Sequence, residues 1–265
     1  MDTSSTTMKT STKNNLTSTS NMEHVAAFDL ISVEGYRMDG RKSDELRQFR
    51  CLFNTMSDAD GSCYLEHGNC KLLAMIYGPY EGRSNQEQAV ITCDFSMTQY
   101  CVSERRLKTY GDLKSQKIQM SIQRVFQQAI LTETYPKSQI DIYLKILQSD
   151  GNDYCPCVNA TTLALINAGI PLKDFVCSST VGNIQGKYIV DLNQQEEQQQ
   201  TPKLTLTIMP QRNEIVSLSC ESRVHAITYN DMLDSATNAC QQLFSSMKQA
   251  VIEQLKTSLN LLHDN

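Results

Sequence analysis

No apolar run in this chain reaches membrane-spanning length, and the start lacks the apolar core of a signal peptide. A soluble, intracellular protein with no membrane contact is therefore expected. The sequence has no cluster of its four histidines (His24, His67, His225, His263) and no metal-ligand spacing among its ten cysteines. Cys155-Pro-Cys157 comes nearest, but no histidine lies beside it. Reduced thiols, mostly buried, are expected, with no metal and no cofactor. Excess positive charge is also missing. The net charge of −5 excludes binding nucleic acid by bulk charge, so any such contact must come from a local patch. Residues 1–22, rich in Ser, Thr and Asn, carry almost nothing apolar and lack the arginines of a mitochondrial presequence. That tail cannot bury enough surface to offset its ordering entropy, so disorder is expected there. Residues 23–265 remain for the folded unit.

What is present is periodicity. With 265 residues and 40% hydrophobic content, the chain can bury one large core or two smaller halves. Strand-like runs fall near 46–54, 62–67, 70–77, 89–97 and 140–148, and again at 175–182, 187–192, 203–209 and 214–220. Helical spacing covers about 113–133 and 155–168. A C-terminal helix, capped near Asp231, carries Leu233, Ala236, Cys240, Leu243, Met247, Val251 and Leu255 on one face. Strands grouped with strands, and helices arriving late, predict an α+β fold with helices on one side of each sheet. The charged stretch EGYRMDGRKSDELRQFRC alternates in sign and is expected to be a solvated, salt-bridged surface segment.

The stretch around which function turns is LQSDGNDYCPCVNATTLALINAGIP, residues 147–171. A strand ends there, a glycine turn follows, and a helix opens with Asp153 as its expected cap and Gly169-Ile170-Pro171 at its close. Such a geometry offers backbone N–H groups to an anion. A second feature is SERRLKTYGDLKSQK. Arg105, Arg106, Lys108, Lys114 and Lys117 put five cations into thirteen residues of an acidic protein. Composition alone leaves a phosphate contact and a solvated loop equally open.

The runs RMDGRKSDELR, ADGSCYLEHGN, CKLLAMIYGP, SQIDIYLKILQSDG and VNATTLALINAGIPLKDFVCS resemble the RNase PH family, in family order, from about Glu34 to the C-terminal helix. The resemblance is nearest to its RNA-exosome ring subunits. It implies the RNase PH-like (ribosomal protein S5 domain 2-like) fold, a duplicated β-α arrangement with two sheets flanked by helices. The halves would be about 34–170 and 171–265. It further implies a six-membered ring with other RNase PH-like exosome subunits and a central channel for single-stranded RNA. S1/KH cap subunits and hydrolytic exosome nucleases would complete the assembly. The location implied is the nucleus, with its nucleolus, and the cytoplasm, with roles in rRNA processing and mRNA decay.

Against the family pattern the phosphorolytic positions have changed. Active members resemble D-[AG]-G-[ST]-R, where this chain has Asp150, Gly151, Asn152, Asp153 and Tyr154. The hydroxyl position is Asp153 and the arginine position is Tyr154. A carboxylate at that helix start competes with phosphate and repels it. Unit charges about 4 Å apart interact by about 4 kcal/mol at an effective dielectric of roughly 20. Active members also carry two aspartates six residues apart, expected on one strand face. Here they are Gln185 and Asp191. An amide cannot act as a general acid, and the surviving carboxylate is expected to be structural. In the basic stretch Leu113 replaces one member of the family's RNA-facing pair and Lys114 keeps the other; Arg83 aligns loosely with a channel-neck arginine. The resulting expectation is a non-catalytic ring subunit that contacts RNA through Arg105, Arg106, Lys108, Lys114, Lys117 and Arg83. An active phosphate-dependent 3′→5′ exoribonuclease and a scaffold without RNA contact remain as alternatives.

Overall fold

The computed structural model describes residues 31–32, 34–82, 88–102, 112–184, 186–199 and 201–263. The expected tail at 1–22 lies outside them, as do Arg83, Arg105, Arg106, Lys108 and Gln185.

The chain opens with three strands, β1 (Phe49–Phe53), β2 (Gly61–His67) and β3 (Cys70–Glu81), paired antiparallel in sequence order. β4 (Val90–Met97), helix α1 (Leu113–Ala129) and β5 (Ser138–Gln148) follow. β5 inserts between β3 and β4, so the first sheet has the order β1-β2-β3-β5-β4 and only β4 and β5 run parallel. That parallel pair needs a crossover, which α1 supplies while packing on β4. The period-two reading of β5 holds: Ile140, Ile142, Leu144 and Ile146 are buried, while Tyr143 and Lys145 face out.

Helix α2 (Tyr154–Asn167) contacts β2 and β3 of the first sheet and also β6 (Cys177–Ile184) of the second. It is buried from Cys155 to Leu165 on every side, as a helix between two sheets must be. Gly61 lets α2 approach this closely, because a Cβ there would come 2.5 Å from the Ala164 carbonyl oxygen. Gly169, at φ +73°, closes the helix: its N–H bonds to Ile166 O and that of Ile170 to Leu165 O, each at 3.1 Å.

The second sheet, β7-β6-β8-β9, adds β7 (Lys187–Val190), β8 (Lys203–Met209) and β9 (Glu214–Cys220), all antiparallel. Between β7 and β8 lies a short helix, α3 (Gln194–Gln198). Helix α4 (Ala226–His263) covers β6 and β8 with Met232, Ala236, Cys240, Leu243 and Met247 buried. Each large apolar side chain so buried contributes roughly 1.5–3 kcal/mol. The architecture is α+β, two sheets flanked by helices. No described helix is long and apolar enough to cross a membrane.

Several expectations are corrected. α1 stops at Ala129, short of 133, because Ile130 turns extended (φ −79°, ψ 143°) and bridges Leu172. α4 begins at Ala226, so Asp231 lies inside the helix and accepts the Tyr188 hydroxyl at 2.8 Å instead of capping. The strand expected over 187–192 ends at Val190, and α3 was not foreseen. Eight of the ten thiols are buried, in line with the expectation of mostly buried cysteines, while Cys220 is exposed and Cys51 half-buried.

The charged segment is exposed over most of its length and salt-bridged, as expected, but two of its arginines are not solvated. Arg37 and Arg47 are 4% and 7% exposed, and each is paired with a buried acid from the second half of the chain.

Candidate active-site cleft

The turn between β5 and α2 takes its shape from two residues with positive φ, Gly151 (+79°) and Asn152 (+50°). Glycine at 151 is required twice over. Its φ disfavours a side chain, and an added Cβ would lie 2.7 Å from Gln194 N at the start of α3. α3 is thus seated directly on the turn. Asn193 and Glu196 hold its start as a capping box. The Arg37 guanidinium grips both Glu196 oxygens at 2.8 and 2.5 Å and also donates to Val190 O and Asp191 O. With α3 so fixed, Glu197 Oε2 accepts the Asn152 N–H at 2.9 Å, and its other oxygen bonds the Lys203 ammonium. Burial opposes the charge on Glu197, but Lys203 and the Asn152 amide outweigh it and hold the carboxyl below its usual value.

Asp153 occupies the cap position of α2, but its side chain makes no cap hydrogen bond, contrary to expectation. Its own backbone is already helical (φ −64°, ψ −26°), and its Oδ1 accepts from Ser149 Oγ at 2.5 Å. Tyr154 is half-buried, its hydroxyl 3.5 Å from Thr207 Oγ1. These residues line one wall of a cleft of about 520 Å³; Lys114, Lys117, Lys203 and Glu221 lie around the rest. The cations face acids of this same chain. Lys117 Nζ is 3.0 Å from Glu221 Oε1, and Lys203 pairs with Glu197.

Asp191 is not on a strand face with position 185. It lies past the end of β7 at φ +57°, and Gln185 falls outside the described residues. Its carboxylate is 2% exposed and is absent from the cleft lining. Arg47 binds it in two-pronged fashion, Nε to Oδ2 at 2.8 Å and Nη2 to Oδ1 at 2.6 Å, and the Arg47 backbone N–H adds a third bond at 3.1 Å. His67 Nε2 stands 3.3 Å from Oδ2 without hydrogen-bond geometry. Burial raises the Asp191 pKa, but His67 and Arg47 reverse this and hold the carboxyl well below the usual carboxylate range. Burial pushes the His67 imidazole down in turn, against the opposing pull of Asp191. Arg47 also reaches the turn, with Nη1 3.4 Å from Asp150 O and 3.5 Å from Cys70 Sγ.

The structure therefore brings Asp153, Tyr154, Lys114 and Lys117 to one cleft and leaves Asp191 buried and off its lining. Sequence reasoning missed Arg37, Arg47, His67, Glu196, Glu197, Lys203 and Glu221. Asn193 and Glu196, three apart, carry the capping-box spacing that could have revealed α3. Among the described residues, no three His, Cys, Asp or Glu side chains converge to hold a metal ion.

Residues 45–171 match domain 1 of the RNase PH family of 3′ exoribonucleases, and residues 174–241 match domain 2. The chain belongs to this family. Among curated relatives, the human exosome complex component RRP41 is 37% identical over 91% of this chain and 100% of its own length. The exosome complex component Rrp41 of Pyrococcus horikoshii is 30% identical, over 88% of this chain and 94% of its own. Among solved structures, rice Rrp46 superposes with a TM-score of 0.72 at 25% identity, covering 80% of this chain and 98% of that one. An Archaeoglobus fulgidus exosome with RNA bound to its active site superposes at 0.71 over 80% of this chain and 93% of its own; at 20% identity it speaks to fold alone.

Proposed function

We propose that this chain is a ring subunit of the RNA exosome that has lost phosphorolysis and guides single-stranded RNA, 3′ end first, toward a separate nuclease. Its partners on this reading are other RNase PH-like subunits in a six-membered ring, S1/KH cap subunits and hydrolytic exosome nucleases. It would act in the nucleus, including the nucleolus, and in the cytoplasm. Membership rests on the family and on relatives named as exosome components.

One observation carries the loss of catalysis: the first residue ahead of α2, where a phosphate dianion would have to sit, is Asp153, and it lines the cleft. Two others support it. Glu197 already takes the Asn152 N–H, one of the donors an anion would use. Asp191 is held by Arg47 and does not line the cleft, so it is not placed to serve a leaving oxygen. RNA contact rests on Lys114 and Lys117 at the cleft, with Arg105, Arg106, Lys108 and Arg83 as further contacts on the sequence pattern. The test is to incubate the assembled ring, without added hydrolytic nuclease, with labelled RNA in the presence and absence of inorganic phosphate. Intact RNA in both arms is expected; phosphate-dependent nucleoside diphosphates would establish the active exoribonuclease instead.

A further inference from the structure

We propose that Glu221 is a built-in competitor for RNA, a carboxylate that occupies Lys117 in place of a phosphate and keeps the strand loosely held. The inference rests on the RNA-contact reading above and concerns how strongly that contact grips. Lys117 lies in the second turn of α1, from the first half of the chain, and Glu221 follows the last strand of the second half. Nζ and Oε1 stand 3.0 Å apart at the cleft. Glu221 is aimed by its backbone: its N–H donates to Lys203 O at 3.3 Å, which fixes the start of the side chain while the carboxylate reaches across to α1. The two side chains are 70% and 55% exposed, so the pair stands in water.

That exposure decides what the pair can do. An ion pair in water contributes little to folding, so stability gives no reason for the acid to be there. The pair does change what an incoming phosphate meets. A strand contacting Lys117 must first displace Glu221, and the displaced carboxylate then stays nearby and repels the backbone. Lys203 is answered in the same way by Glu197, so two of the three lysines lining the cleft already face an acid. A site built to retain RNA would leave these cations open. A site over which RNA must slide needs contacts that exchange readily, and a tethered carboxylate of similar strength provides that. Glu197 also holds the turn through Asn152, so Glu221 is the acid that can be altered without disturbing the fold.

The test is a double-mutant cycle on the full chain, Lys117→Gln and Glu221→Gln, reading anisotropy of a fluorescein-labelled oligouridylate at fixed low salt. Unchanged thermal unfolding of each variant serves as the control. Glu221→Gln should tighten binding by roughly two- to five-fold, the range of an exposed ion pair. Lys117→Gln should weaken it, and the double variant should lose the Glu221→Gln gain. If that gain persists without Lys117, or if Lys117→Gln weakens binding while Glu221→Gln does nothing, the competitor role is overturned and the RNA contact stands. If neither these variants nor Lys114→Gln shifts the curve, the RNA-contact reading itself fails and takes the inference with it.

Discussion

Replacing Asp191 with asparagine should cost the fold far more than an ordinary polar substitution. The Arg47 side chain is 4% exposed and the carboxylate it binds is 2% exposed, so the variant leaves a buried guanidinium against an uncharged amide, with the Asp150 carboxylate at 3.9 Å as its remaining acid. Removing one partner of a buried pair typically costs about 3–5 kcal/mol, because the surviving charge keeps its desolvation penalty. For a chain of this size that lowers the melting temperature by roughly 6–20 °C. Urea unfolding followed by circular dichroism reads the loss directly. The sign with pH follows from the shift. The Asp191 carboxyl sits below its unfolded value, so its contribution is complete well above about pH 4 and fades as the pH falls toward the folded value. Wild type and Asp191→Asn should therefore converge in stability in acid. Removing the guanidinium as well, in Arg47→Met with Asp191→Asn, should recover part of the loss, since asparagine tolerates the φ of +57° at 191. A loss under about 1 kcal/mol in the single variant would refute a structural role for Asp191.

Gly151→Ala should destabilise the chain by about 1–3 kcal/mol and loosen α3, since the new Cβ meets Gln194 N at 2.7 Å and φ is +79°; chemical denaturation checks it. Asp153→Ser with Tyr154→Arg should raise affinity for inorganic phosphate by roughly ten-fold or more, read by calorimetry, because it removes the repelling carboxylate and adds a cation. Arg105→Glu with Arg106→Glu should weaken RNA threading, measured as protection of RNA passing through the ring, without dissolving the ring on gel filtration. Loss of assembly would show that these arginines belong to an interface.

The strands were legible because their side chains alternate between a buried and an open face, and β5 shows this most cleanly. α2 was legible through its flanks, since Gly169 stops it as glycine does at a left-handed position. Asp153 and Tyr154 could be singled out from the turn between β5 and α2, and the structure brings both to the cleft. What stayed hidden depends on distant partners. Arg47 and Asp191 are 144 residues apart, and nothing local separates an arginine bound for the core from one bound for water. The same is true of Arg37 and Glu196, whose pairing makes α3 worthwhile despite its five polar residues. Asp153 fits a helix cap by position, yet its backbone has already turned helical, so the cap geometry is not available to it.

The most direct test of the central claim is a phosphate titration of the full chain followed by NMR, observing the backbone amides of Gly151, Asn152 and Tyr154. No saturable shift is expected at these amides, because Asp153 and Glu197 hold negative charge where the ion would bind. Saturable, site-confined shifts at Gly151 to Tyr154, lost on Lys203→Gln, would show that the cleft still receives phosphate and would contradict the account.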